Sequence, residues 1–171
     1  NEMSREEIST IIDKYGEERF AWRIAGAIIE ARDKQLFSTT AELARVVADA
    51  VPARFHKKGF HPATLTFQAV RIFVNKELEE IETMLEKLEG RVQEGGGAAF
   101  ISFHSLEDRL VKEKFRWFEK ECICPPAQVI CTCDKARTFK QITRKPIIPS
   151  EAEVAENPLS RSAKLRAAKR V

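Results

Sequence analysis

Two stretches of this chain carry residue types that can do chemistry. The first is Ser102-Phe103-His104-Ser105, followed at once by Leu106-Glu107-Asp108-Arg109. A nucleophile, a base and a carboxylate this close together could hydrolyse an ester or amide. A nucleophilic serine, however, needs a sharp G-x-S-x-G elbow and an oxyanion hole. Here Ile101 precedes Ser102, and no glycine flanks either serine. Neighbours along a strand also point to opposite faces, so adjacent Ser and His do not automatically meet. These residues read better as a ligand-contacting lip, because open α/β sheets bind ligands at the carboxyl ends of their strands. Asp108 and Arg109 read as charge at a helix start and surface pairing.

The second stretch is Cys122-x-Cys124, six residues, then Cys131-x-Cys133. Two such pairs in a chain that reads as cytoplasmic favour a metal over disulfides. Four thiolates suit tetrahedral zinc, although the spacing is C-x-C and not the usual C-x2-C knuckle. The backbone would have to bend sharply, and Pro125 and Pro126 would stiffen the bend. Reduced free thiols remain the alternative.

Bulk properties set the frame for both. A chain of 171 residues, 43% hydrophobic and 32% charged, can bury one ordinary core with a small appendage. No apolar run is long enough to cross a membrane. The opening NEMSREEIST is acidic and polar, unlike a secretory leader, so a cytoplasmic location is expected. The formal charge of +3 is unevenly spread. Residues 1–133 hold 19 Lys/Arg against 22 Asp/Glu, whereas residues 134–171 hold 10 against 4. A basic tail suits a polyanion such as RNA, and equally a solvated lysine-rich surface.

The elements that must position these residues follow from periodicity. Ser4 with Glu7 and Thr39 with Glu42 are capping boxes that open helices, and Gly16 and Pro52 close them. A helix between them, residues 17–33, places Phe20, Ile24, Ala27 and Ile28 on one face. Trp22 reads as a core aromatic and Arg23 as a surface charge. A basic loop over 54–61 contains Lys57, Lys58 and His61. From Pro62 a single helix is expected to run towards Glu89, with Phe67, Val70, Val74, Leu78, Ile81 and Leu85 inward. Gly95-Gly96-Gly97 turns into a strand over 98–103. A phosphate-binding glycine loop follows a strand instead of preceding one, so this run is only a turn. A helix over 106–121, strand-like pieces at 139–142 and 164–168, and a capping box at Ser150 complete the chain. Helix, strand, helix, strands is the tail end of an open α/β sheet, with too few strands for a whole one.

Five stretches together resemble a known family: YGEERFAWRIAGAI (15–28), FHPATLTFQAVRI (60–72), ISFHSLEDRLVK (101–112), TRKPIIPS (143–150) and ENPLSRSAKLRAAKR (156–170). They are similar to the bacterial ribosomal RNA small-subunit methyltransferase H (MraW) family, in the same order and over nearly the whole chain. The resemblance implies S-adenosylmethionine-dependent methylation of cytosine N4 in 16S rRNA. It implies an α/β fold: part of a class I, Rossmann-like methyltransferase sheet, preceded by a small helical domain. Residues 1–70 then correspond to the helical insertion that handles RNA, and residues 71–171 to the carboxyl-terminal part of the methyltransferase domain.

The family's glycine-rich cofactor loop and ribose-binding acid lie upstream of the matched stretches. No cofactor-binding residue is therefore expected here, and this portion alone is expected neither to bind S-adenosylmethionine nor to turn over. Ser102, His104 and Ser105 become candidates for positioning the target base. Lys57, Lys58, His61, Arg71, Arg161, Lys164 and Arg166 become candidates for contacting RNA. Members commonly carry a basic residue where this chain has Leu65, which weakens RNA contact by that turn. Cys122, Cys124, Cys131 and Cys133 are candidate zinc ligands, but the pairs occur in only some members. The expected partners are 16S rRNA or the small ribosomal subunit and no membrane, with a homodimer compatible. The other reading is a stand-alone RNA-binding or zinc-stabilised interaction module without catalysis.

Overall fold

The computed structural model describes every residue except Lys57 and Val129. The chain forms two compact units, Asn1–Glu77 and Leu78–Val171.

The first unit is helical. Helix α1 (Arg5–Gly16) starts where Ser4 Oγ accepts the Glu7 N–H and the Glu7 carboxylate accepts the Ser4 N–H. Thr39 and Glu42 repeat that box at the start of α3 (Thr40–Ala50), and α2 (Ala21–Arg32) lies between them in sequence. Helix α4 (Thr64–Asn75) packs against α1. That crossing requires the glycine at position 16, because a Cβ there would sit 2.7 Å from the Leu65 carbonyl oxygen. Ile12, Ile24, Ile28, Val47 and Ala50 form the core on which Phe20, Phe37 and Phe67 close.

Three expectations change here. The helix expected from Pro62 to Glu89 is two helices: α4 stops at Asn75, Lys76 takes a left-handed conformation (φ 53°), and α5 (Glu77–Arg91) begins afresh. The units therefore divide at 77/78 and not at 70/71, since the whole of α4 belongs with α1. Trp22 is half exposed and lies under the Arg5 guanidinium, 4.3 Å from its ring centroid, so it is no core residue.

The second unit contains a three-stranded sheet of order β1-β3-β2, from β1 (Gly97–Ser102), β2 (Phe139–Gln141) and β3 (Lys164–Arg170). Strand β3 runs antiparallel to both neighbours. Helix α6 (Ser105–Glu119) follows β1 directly, and a short α7 (Glu151–Glu156) starts at Ser150, whose Oγ accepts the Glu153 N–H. One face of the sheet is covered: Leu85 and Leu88 of α5 and Val111, Phe115 and Phe118 of α6 pack on Ala98, Phe139 and Ala168. The alternation of a strand puts the opposite set outward. Ile101 pairs with Leu165, which bridges to Ile147, so the three share that outer face. Ile101 is 61% and Ile147 56% exposed.

Phe115 is fully buried and meets Phe100 edge-on, centroids 5.6 Å apart. Phe115→Ala should cost about 3–5 kcal/mol by lost transfer energy and residual cavity. Urea unfolding measures it, and a loss below about 1 kcal/mol would contradict this packing.

Candidate functional site

The strand end is built by alternation and then locked by the helix that follows. Ser102 points inward, is buried, and donates from Oγ to the Lys164 carbonyl at 3.4 Å. Phe103 points outward and is 55% exposed, with Ser105 also at the surface. His104 is the N-cap of α6: its Nδ1 accepts the Glu107 N–H at 3.3 Å. The Glu107 carboxylate accepts in return from the N–H groups of Phe103 (2.8 Å) and His104 (3.3 Å). Because Nδ1 accepts, the proton of the neutral ring is assigned to Nε2, which lies 3.2 Å from Glu107 Oε1. Nδ1 is thus spent on the helix start, whereas Nε2 is buried without a hydrogen-bond partner among the described residues. Burial raises the Glu107 pKa, but the His104 side chain and the Phe103 N–H more than offset this and hold it below the usual range.

Beneath this lip lies a buried ion pair. Arg166 of β3, 4% exposed, donates from Nε (2.7 Å) and Nη2 (3.1 Å) to the two carboxylate oxygens of Asp108 on α6. Lys164 Nζ stands 3.7 Å from the same carboxylate. Asp108 is therefore not surface pairing but an internal tie between helix and sheet. Hydrogen bonding from Arg166, opposed by burial, holds the Asp108 carboxyl below its ordinary pKa. Arg166, grouped by charge with the basic tail, is a structural cation and cannot reach a phosphate. Lys164 is half-exposed, and Arg161 lies exposed on the 3-10 turn Pro158–Ser162.

In the helical unit Lys58 and His61 are exposed beside Gly59, whose φ is +76°. His61 Nδ1 accepts the Ala63 N–H at 3.1 Å, fixing the ring at the entry to α4. Lys57 lies outside the described residues. Arg71 donates through Nε and Nη2 to Glu77 at 2.8 and 3.0 Å, so its charge is already neutralised locally. Sequence reading missed Arg19. Its guanidinium stands over both Phe20 (4.9 Å) and Phe55 (4.4 Å) at a cleft of about 270 Å³ that Phe60 also lines. Adjacent Arg-Phe pairs at 19–20 and 54–55 were the available signal. That they converge is a tertiary fact.

The four cysteine sulfurs converge as well, all within 4.8 Å of one another. Cys122–Cys131 and Cys131–Cys133 are 3.5 Å apart, Cys122–Cys133 3.8 Å and Cys124–Cys131 3.9 Å. Backbone N–H groups of Ile123 and Lys135 pull the Cys133 thiol down to about 6. The Cys124 N–H also lowers Cys122, but the other three thiols push it up to about 12. Four sulfurs so placed could hold a metal ion.

Comparison with known proteins agrees with the resemblance. The model of the MraW methylase family matches residues 1–171. The chain is 50% identical over 171 residues to a ribosomal RNA small subunit methyltransferase H of Caldicellulosiruptor bescii. It is 48% identical to the protein of that name from Geobacter sp. (strain M21) and 47% to that of Halothermothrix orenii. All of this chain is covered in each match, but only 55% of each relative. The chain spans about half the length of the curated relatives it matches.

The Asp108–Arg166 pair gives a direct test. Asp108→Ala leaves a buried guanidinium without its partner and should cost about 3–5 kcal/mol. With its folded pKa depressed, the ionised carboxyl stabilises fully above the unfolded value, and this contribution disappears as pH falls through the folded one. The stability gap between wild type and Asp108→Asn should thus be full at pH 7 and shrink below about pH 4. Urea midpoints across that range measure it, and a gap independent of pH would contradict the pairing.

Proposed function

As the chain belongs to the MraW methylase family, we propose that it is part of an S-adenosylmethionine-dependent enzyme that methylates cytosine N4 in 16S rRNA. The observation that carries this reading is the strand end: exposed Phe103 and Ser105 flank a histidine whose ring is immobilised as a helix cap. The exocyclic amine of cytosine is a poor nucleophile, because its lone pair is delocalised into the ring. Transfer to it requires a base held out of its stack with that nitrogen aligned. Phe103 supplies a flat apolar surface for such a base, and the Ser105 hydroxyl supplies a donor or acceptor for its edge. His104 acts as a positioning residue that fixes both through the Glu107 box.

The bare outer row of Ile101, Leu165 and Ile147 supports the reading that this sheet is the end of a larger Rossmann-like sheet. We assign its cover to the remaining length that the relatives possess, and not to a second copy in a homodimer. The residues described here do not fit a cofactor cradle: the run Gly95-Gly96-Gly97 leads into β1 and turns at Gly95, φ +77°. Lys58, His61, Arg19, Arg161 and Lys164 are assigned to RNA phosphates and bases, and the small ribosomal subunit in the cytoplasm is the site of action.

In the full-length enzyme, Phe103→Ala and Ser105→Ala should each lower single-turnover methyl transfer roughly tenfold or more while RNA affinity stays within about threefold. His104→Asn keeps a capping oxygen and should stay within a few-fold of wild type, whereas His104→Ala loses the cap, about 1 kcal/mol of stability, and transfer with it. Full transfer in both Phe103→Ala and Ser105→Ala would overturn the assignment. RNA binding by the intact protein without any methyl transfer would favour the non-catalytic module.

Filter binding against salt tests the phosphate contacts. The slope of log affinity on log salt should fall by about 0.7–0.9 for each of Arg161→Ala and Lys164→Ala. An unchanged slope in both would remove the tail from the interface.

A further inference from the structure

The four thiols are not used by the methyl-transfer reading, and no hydrophobic core explains their convergence. Between Glu119 and Phe139 no described residue belongs to a helix or strand, and Ile123 and Ile130 are exposed. Thiols are weak hydrogen-bond donors and would not by themselves gather four sulfurs at one point. The chain is anchored at both ends of this stretch: the Thr138 N–H donates to the Phe118 carbonyl at 3.0 Å, and Arg137 Nε donates to the Glu119 carbonyl at 3.3 Å. Between these anchors the described contacts are few: the sulfurs, and Gln128, which donates from Nε2 to the Thr132 hydroxyl and the Ile130 carbonyl, each at 2.9 Å.

We propose that Cys122, Cys124, Cys131 and Cys133 bind one zinc ion through four thiolates, making residues 120–138 a metal-clasped knuckle between α6 and β2. The geometry argues for it directly. A zinc–sulfur bond of about 2.3 Å implies sulfur–sulfur edges near 3.8 Å in a tetrahedron. Four of the six edges, 3.5, 3.5, 3.8 and 3.9 Å, bracket that value, and all six lie within 4.8 Å. A four-iron cluster attaches each thiolate to a different iron and spreads the sulfurs, whereas a single tetrahedral ion draws them together.

The surroundings suit a charged centre. Each thiol releases its proton to solvent as its sulfur bonds the ion, so Zn²⁺ with four thiolates carries two negative charges. The Cys124 N–H donates to Cys122 Sγ at 3.3 Å and the Ile123 N–H to Cys133 Sγ at 3.4 Å, placing positive dipole ends on the sulfurs. Lys120 and Lys135, each two residues outside the cysteines in sequence, stand over the Trp117 ring, 5.7 Å from its centroid. After Cys133, Asp134 takes a left-handed conformation (φ 49°), and the backbone N–H of the next residue, Lys135, is turned to the Cys133 sulfur. Zinc has no redox chemistry, and with four protein ligands no position is open to substrate, so the role is structural.

The site stands independently of the methyl-transfer reading and is tested on the full-length protein, purified without added metal. Elemental analysis should give one zinc per chain, and Cys131→Ser with Cys133→Ser should abolish it. Should that variant fail to fold, the wild type still decides. Chelation should speed hydrogen exchange over 120–138 at least roughly tenfold, leave residues 5–50 unchanged, and be reversed by added zinc. Cobalt in place of zinc should give the thiolate-to-metal absorption of a tetrahedral site. A metal-free protein with four thiols reactive in the native state would overturn the proposal. So would iron at stoichiometric level, or disulfides detected by mass.

Discussion

The second unit is organised around the bidentate contact between Asp108 and Arg166. A buried ion pair adds little net stability over an apolar pair of the same volume, because desolvation opposes the Coulomb attraction. It does specify geometry. Arg166 stands opposite Phe100 in the β1–β3 ladder, on the face that α6 covers. A slip of one residue would bring Leu165 or Ala167 to Asp108 and send the guanidinium to the bare face. The pair therefore sets the register of β3, the seating of α6 on the sheet, and the direction in which β1 delivers its last residues.

From that register the strand end follows. Ser102 shares the inward face with Arg166 and is tied to Lys164, while Ile101 and Phe103 share the outward one. The chain then enters α6 without a loop, so residue 104 must cap the helix. A histidine there does in its ring what a serine or asparagine does elsewhere, accepting the N3 amide, and Glu107 completes the exchange. Used this way, His104 has its Nδ1 occupied by the cap, and its Nε2 is buried away from the surface. The groups presented outward are the phenyl ring before it and the hydroxyl after it.

The helical unit rests on a different constraint, the close approach of α1 to α4 at Gly16. Beside it the Arg19-Phe20 corner meets Phe55 and Phe60 at one cleft, where a guanidinium spans two aromatic rings. An arginine held by stacking keeps its in-plane donors available to an anion, and this distinguishes Arg19 from Arg71, whose donors face Glu77.

Much of the local structure could be read in the sequence because its causes are local. The boxes Ser4/Glu7 and Thr39/Glu42 satisfy amides within one turn, and the alternation of 98–103 needs only its own residue types. The family likeness and the pairing of cysteines at C-x-C spacing were equally visible along the chain. The break at Lys76 was not, because an unbroken apolar stripe continues through it, and only packing of α4 on α1 separates the two helices. The role of Arg166 was hidden for a similar reason: charge counting sees ten basic residues in a tail, but not that one of them faces a carboxylate 58 residues away. Trp22 reads as core by type and is surface by its arginine neighbour. Which sulfurs meet, which nitrogen of His104 is occupied and which side of the sheet is bare are matters of distance in space, and sequence spacing constrains these only once the strands and helices have been brought together.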